Sequence, residues 1–114
     1  MKCKQFEVWI ADLNPQIGTE PGKVRPVLVV QTNLLNPVHP ATLVCPITTN
    51  VKAGAELLRV NLRKGEAGLN ENCAVMIDQL RAIDNKRLVK KIGELPGLYQ
   101  KRVKENIKVV LDLE

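Results

Sequence analysis

Apolar and polar side chains alternate along much of the first 95 residues, which is the pattern of β-strands with one buried face. The run QFEVWIADL places Phe6, Val8 and Ile10 on one side and predicts a first strand. The same reasoning predicts strands in RPVLVVQ (25–31), TLVCPIT (42–48), ELLRVNL (56–62), CAVMIDQLRAI (73–83, with a bend near Asp78) and RLVKKIGEL (87–95). Pro, Gly and Asn mark the loops between them, including a long loop over 14–23.

The C-terminal segment changes to a helical period. In PGLYQKRVKENIKVVLDL the apolar residues recur at intervals of three and four, at Tyr99, Val103, Ile107 and Val110 with Leu111. Pro96 stands near the first turn, and the positions between are charged: Lys101, Arg102, Lys104, Glu105 and Lys108. We therefore predict one domain over 1–114, mainly β or α+β, with a small barrel or sandwich and a C-terminal amphipathic helix.

Composition narrows the class of protein without identifying a function. The 114 residues are 45% hydrophobic and 25% charged, and no apolar run approaches the ~18 residues of a membrane span. The N-terminus lacks an export signal, so we expect a cytoplasmic protein. Cys3, Cys45 and Cys73 lie far apart with no CxxC pair, which favours free thiols and neither a disulfide framework nor a zinc site.

The charge favours a polyanionic partner. The formal net charge is +5 and the pI is about 9.3. A solvated basic face kept for solubility is the alternative explanation. With one Phe, one Trp and one Tyr the chain lacks a base-stacking platform, so phosphate contacts and hydrogen bonds would have to carry any nucleic-acid binding.

Candidate chemistry is confined to polar residues at strand ends. Arg25 stands directly before the apolar run of the second strand, where an unpaired buried charge would cost several kcal/mol. The other candidates are Glu20, Thr48, Thr49, Asp78, Gln79 and Arg81. Nucleotide-binding glycine loops and a G-x-S-x-G motif are absent, and the lone His39 between two prolines is expected to be incidental. From the residues alone, loop caps and surface ion pairs remain an open interpretation of these side chains.

An ordered set of motifs carries a resemblance. ADLNPQIGTEPGKVRPVLVVQ is followed by LVCPITT and then by AVMIDQLRAIDNKRLVKKIGEL. Together they resemble the MazF/PemK family, the toxins of bacterial toxin–antitoxin pairs, which are sequence-selective endoribonucleases. The resemblance covers nearly the whole chain.

The resemblance implies a fold, partners and residue roles. It implies a small SH3-like (PemK/CcdB-type) barrel, a symmetric homodimer, a MazE-like antitoxin, and cleavage of single-stranded RNA or mRNA without metal or cofactor. By motif position Arg25 and Thr48 match the catalytic arginine and threonine, and Glu20 matches an acidic residue proposed to transfer protons. The implied RNA-binding residues are Gln79, Asp78, Thr19, Thr49 and Arg81. Versions of the mechanism that use a histidine at Ile17 or an arginine at Met76 cannot apply, and Pro21 alters the setting of Glu20.

The expected chemistry needs little from the protein, because RNA carries its own 2′-hydroxyl nucleophile. A guanidinium at position 25 suits two phosphate oxygens and stabilises the developing charge. The products would be a 2′,3′-cyclic phosphate and a 5′-hydroxyl. Two other functions stay open: a gyrase-poisoning toxin of the related CcdB type, and a non-catalytic RNA-binding module.

Overall fold

A computed structural model describes residues 2–20, 22–52 and 57–114. Its strands are β1 (Glu7–Asp12), β2 (Val24–Val29), β3 (Ala41–Thr48), β4 (Arg59–Leu62), β5 (Cys73–Met76), β6 (Arg81–Asp84) and β7 (Leu88–Glu94). The helix α1 spans Gly97–Val110, and short 3-10 turns lie at Glu66–Gly68, Ile77–Gln79 and Asn85–Arg87. No described helix has the length and apolar content that crossing a membrane requires. The predicted class, mainly β with a C-terminal helix, is confirmed.

The described strands join one antiparallel sheet, and β3 is its most connected member. The strand order is β4-β5-β3-β2-β1-β7, with β6 also paired to β3. The first half of β3, Ala41 to Val44, pairs with β6, and its last two residues pair with β5. The single strand predicted over 73–83 is therefore two strands, and the predicted bend near Asp78 falls in the 3-10 turn that separates them.

The described strands do not form the closed barrel that was expected, because the hydrogen-bonded path has two open ends. Among the described strands, β4 and β7 are the two ends of the path. The turn Glu66–Gly68 lies against β7: a Cβ on Gly68 would come within 2.0 Å of the Ile92 carbonyl oxygen, and one on Gly93 within 2.3 Å of the Ala67 carbonyl oxygen. The two segments can approach this closely because Gly68 and Gly93 have no Cβ.

The sheet buries both of its faces. One apolar cluster includes Val8, Leu28 and Ile47 and is covered by Val103 of α1. A second cluster, on the opposite face, includes Trp9 and Val27. Neighbouring residues along β2 thus enter different clusters, as the period of two in a strand requires. The sequence pattern placed only one face of β1 in the core, so this second cluster was missed.

Glu7 is a buried carboxylate on β1. It accepts hydrogen bonds from the indole Nε1 of Trp9 (3.0 Å) and the backbone N–H of Lys4 (2.8 Å), and it forms an ion pair with Lys91 of β7 (3.1 Å). Burial alone would raise the pKa of Glu7, but these hydrogen bonds and the lysine charge outweigh it and lower the pKa.

Three details differ from the expected elements. The predicted fourth strand began at Glu56, which lies outside the described residues, and β4 itself starts only at Arg59. In α1 Val103 is buried, but Val110 and Leu111, predicted to face the core, are exposed. β2 begins at Val24, one residue before the predicted start, so Pro26 is its third residue. The three cysteines are buried free thiols, as predicted.

Candidate active site

Two prolines end the hydrogen-bonded ladder between β2 and β3 beside the candidate residues. The ladder pairs Val27 with Pro46 and runs away from that point toward Val29 and Val44. Pro26 and Pro46 have no backbone N–H to extend it. Continuing the register by two residues places Arg25 opposite Thr48, and cross-strand neighbours project from the same face of a sheet. The sequence therefore brings these two side chains together at the open end of the ladder.

A cavity of about 340 Å³ lies at this open end. Arg25 and Thr48 line it together with Lys23, Thr49 and Asn50. The Nε of the half-buried Arg25 donates to the Gly22 carbonyl (2.9 Å), and the backbone N–H of Asn50 donates to the Thr48 Oγ1 (3.1 Å). Among the described residues, two cations and no carboxylates line the cavity, so it is suited to an anion.

The loop between β1 and β2 is anchored at both ends. The backbone N–H of Lys23 donates to the Asn14 Oδ1 (2.8 Å), and the guanidinium of Arg87 donates to the carbonyls of Asp12 and Asn14. Residues 15–20, which lie between these anchors, are exposed and include Glu20, whose backbone N–H donates to the Ile17 carbonyl (3.0 Å). The anchors therefore fix where the exposed part of the loop leaves the sheet.

Glu20 pairs with Arg81 of β6. The Glu20 Oε2 and Arg81 Nη1 lie 3.6 Å apart, which is an ion-pair distance but longer than a hydrogen bond. The same Nη1 is buried and has no hydrogen-bond acceptor among the described residues. A buried donor without an acceptor costs about 1–3 kcal/mol, so this Nη1 is an unsatisfied polar group among the described residues.

The remaining predicted RNA-binding residues are more scattered. Asp78 forms an ion pair with Arg59 of β4 (2.5 Å). Gln79 is half-buried in the turn Ile77–Gln79, and Thr19 is exposed in the loop. Pro21 lies outside the described residues. The structure thus brings Arg25, Thr48 and Thr49 into one cavity and Glu20 into contact with Arg81.

The other reactive side chains lie outside this arrangement. His39 is exposed before the start of β3, whereas Thr48 is the last residue of that strand. Burial, with a smaller contribution from Asp78, raises the pKa of Cys45 to about 12, so this thiol is a poor nucleophile. Over the residues that the structure describes, no group of three or more His, Cys, Asp and Glu side chains could hold a metal ion.

Sequence reasoning missed four contributors to the site. Lys23 and Asn50 line the cavity, and Asn14 and Arg87 anchor the loop. The proximity of Lys23 and Asn50 could have been inferred, because each lies two residues from a predicted catalytic residue. The role of Arg87 could not have been inferred, because its two contacts join residues that are 75 and 73 positions apart in the sequence.

Comparison with known proteins gives consistent matches. Residues 4–111 match the family described as PemK-like, MazF-like toxin of type II toxin-antitoxin system. The Endoribonuclease EndoA of Bacillus subtilis is 33% identical over 113 residues, which cover 99% of this chain and 97% of that protein.

Solved structures match over the same length. The Mycobacterium tuberculosis toxin MazF-mt6 superposes with a TM-score of 0.80 at 29% identity, covering 95% of this chain and 98% of that chain. A MazE–MazF structure from Deinococcus radiodurans has a TM-score of 0.79 at 22% identity, covering 100% of this chain and 99% of that chain, and supports the fold. The chain therefore belongs to the family of PemK-like, MazF-like toxins of type II toxin–antitoxin systems.

Proposed function

We propose that this toxin is a sequence-selective endoribonuclease that cleaves single-stranded RNA, including mRNA, without a metal ion. The observation that carries the proposal is the cavity in which Arg25 and Thr48 face each other beyond the last pair of the β2–β3 ladder. The cations of this cavity suit the negative charge of a phosphodiester. The relatives of this chain in sequence include an endoribonuclease.

Arg25 and Thr48 bind the scissile phosphate in this proposal. The Nε of Arg25 is already bonded to the Gly22 carbonyl, which orients the guanidinium and leaves its two Nη groups for the non-bridging oxygens. The Thr48 hydroxyl donates to a phosphate oxygen while its own oxygen accepts from Asn50. Both donors are in place before the reaction and stabilise the charge that develops on phosphorus.

Proton transfer falls to Glu20, with Arg81 beside it. The Glu20 carboxylate accepts the proton of the 2′-hydroxyl as that oxygen attacks phosphorus and the bond to the 5′-oxygen breaks. The 5′-oxygen takes up a proton from water and Glu20 releases its proton to solvent, so that the products are a 2′,3′-cyclic phosphate and a 5′-hydroxyl. Gln79, Asp78, Thr19 and Thr49 would contact the RNA around this centre.

The chain's partners follow from the same proposal. As a type II toxin, it is neutralised by a protein antitoxin of the MazE kind, whose acidic segment is drawn to a protomer of charge +5 and covers the Arg25 cavity. We also propose a homodimer and action in the cytoplasm. The CcdB-like alternative, gyrase poisoning without catalysis, has no use for an arginine and a threonine placed around an anion-sized cavity.

Single-turnover cleavage of a long single-stranded RNA in EDTA tests the proposal. Wild-type protein should cut it to 2′,3′-cyclic phosphate ends, and Arg25→Ala and Thr48→Ala should each be slower by ~10²–10³-fold while remaining folded by circular dichroism. Arg25→Lys should recover little, because an ammonium cannot make the two-pronged contact.

His39→Ala is the matched control and should cut at the wild-type rate, because His39 lies at the other end of β3. An uncut RNA with wild-type protein would refute the proposal. Normal cleavage by a folded Arg25→Ala protein would refute the mechanism.

A further inference from the structure

A second cavity, of about 580 Å³, lies between the β4–β5 hairpin and the start of α1. Its lining carries three cations, Arg63, Lys64 and Arg102, and the ring of Tyr99. Two amides, Asn61 and Asn72, also line it, and no carboxylate of the described residues does. Its volume is in the range of ~300–1,000 Å³ that is usual for small-ligand sites. None of these side chains has a part in the proposed cleavage chemistry.

Asn61 of this basic cavity, defined by Arg63, Lys64, Arg102 and Tyr99, projects from the same face of the sheet as Thr48, whereas Tyr99 and Arg102 come from α1, which covers the other face. Ala74 of β5 is paired both with Thr48 of β3 and with Asn61 of β4. Cross-strand neighbours project from the same face, so Asn61 and Thr48 lie side by side two strands apart. At ~4.8 Å per strand, that separation is about 10 Å.

The charge in the basic cavity is not neutralised by its surroundings. The neighbouring carboxylate is Glu66, whose Oε1 accepts from the backbone N–H of Arg63 (2.7 Å) and from the hydroxyl of Tyr99 (3.0 Å). The hydrogen bond to Glu66 raises the pKa of Tyr99, and the charges of Arg63 and Arg102 act in the opposite direction, which places both guanidinium groups near the ring. Among the described residues, none of the three cations forms an ion pair with a carboxylate.

We propose that the basic cavity binds RNA nucleotides that flank the scissile phosphate. The proposal rests on the endoribonuclease function given above and adds a subsite to it. Arg63, Lys64 and Arg102 contact backbone phosphates, Tyr99 stacks against a base, and the amides of Asn61 and Asn72 meet base edges. Asn61 at the rim of the cavity is about 10 Å from Thr48, a distance that a short stretch of extended single strand covers.

An aromatic ring and two amides favour RNA over an acidic peptide as the occupant. The carboxylates of an acidic peptide would need only the three cations as partners. A nucleotide combines an anionic phosphate, a flat ring and hydrogen-bonding edges. The basic cavity supplies a complement to each of these. Stacking on Tyr99 would also give this chain, which has few aromatic residues, one aromatic contact to a base.

The test uses a cavity variant, Arg63→Ala/Arg102→Ala, and a control variant, Lys101→Ala/Lys108→Ala. The control removes two exposed lysines of α1 that do not line the cavity. On a long RNA the cavity variant should show KM raised about tenfold or more and kcat nearly unchanged, because the subsite binds RNA without touching the scissile phosphate. The dependence of affinity on salt should also become shallower, with a log–log slope smaller by ~0.7 for each phosphate that is no longer neutralised. The lysine control should retain a wild-type KM.

RNA length provides the second readout. On RNAs trimmed progressively from one end, the difference between wild type and the cavity variant should disappear once the RNA no longer reaches the basic cavity. If wild type cleaves the long RNA and Arg25→Ala does not, but the cavity variant keeps the wild-type KM and salt slope, the subsite is refuted and the function stands. Loss of antitoxin binding with unchanged RNA binding would also refute it. Absence of wild-type cleavage would instead refute the proposed function.

Discussion

Glu20 and Arg81 come from different elements, and their contact joins a loop to a strand. Arg81 extends from β6, and Glu20 lies in the exposed part of the loop between β1 and β2. An exposed ion pair contributes little to stability, so its interest is positional. In the proposed mechanism, Arg81 positions the Glu20 carboxylate for proton transfer.

A double-mutant cycle on this pair tests the positional role. We expect Glu20→Gln and Arg81→Gln each to lower single-turnover kcat, and Arg81→Gln to have little further effect on kcat once Glu20 is neutral, because nothing is left to position. Arg81→Lys should restore part of the rate.

Glu94→Gln is the control, because it neutralises an exposed carboxylate that is also paired with a basic side chain, Lys91. If the losses from Glu20→Gln and Arg81→Gln simply multiply in the double variant, the two residues act independently and the positioning role is wrong.

At the scale of elements, the turn Glu66–Gly68 is held against β7 by backbone contact. Gly68 has a φ of 76° and no space for a Cβ, whereas Gly65 has a φ of 94° and nothing within 4 Å of the corresponding position. The two glycines thus share a left-handed backbone conformation and differ in their surroundings.

Alanine at each glycine separates strain from steric clash. We expect Gly65→Ala to lower the free energy of unfolding by ~1 kcal/mol through the positive φ alone. Gly68→Ala should cost ~1–3 kcal/mol more, because β7 must move. Urea denaturation followed by circular dichroism measures both values. Equal losses would mean that the turn is not packed tightly against β7.

Local sequence determines most of these elements but not how they meet. Strands and the helix were predictable because alternation and the three-to-four spacing are properties of neighbouring residues. The division between β5 and β6 was not, because 73–83 is apolar on both sides of Asp78 and only pairing with β3 requires the break. In the site, the approach of Arg25 to Thr48 follows from motif and register, whereas the contacts of Arg81 with Glu20 and of Asp78 with Arg59 depend on tertiary folding.

At the scale of the whole molecule, Glu7 makes stability depend on pH. Its pKa is lowered from the ordinary value of 4.5 on folding, so its stabilising contribution is present above that value and is lost as the pH falls through the folded-state pKa. We expect acidification below about pH 4.5 to destabilise wild type more than Glu7→Gln, whose side chain does not titrate.

Urea denaturation at pH 7 and at several lower pH values measures this difference. The Glu94→Gln variant serves as control, because its carboxylate is exposed and should leave the acid dependence as in wild type. If the Glu7→Gln and wild-type curves stay parallel throughout, the buried carboxylate is not a source of acid sensitivity.

The pairing of β3 with three other strands also affects when the chain can fold during its synthesis on the ribosome. β2 and β3 leave the ribosome as neighbours, but the other edge of β3 needs β5 and β6, and Thr42 donates to Asn85, 43 residues later. Pairings over such distances form late, because the intervening chain must first be synthesised and its loop closed. An unfinished polypeptide therefore carries Arg25 and Thr48 without the framework that holds them. If the proposed function holds, the nascent chain leaves the message being translated uncut until its synthesis is nearly complete.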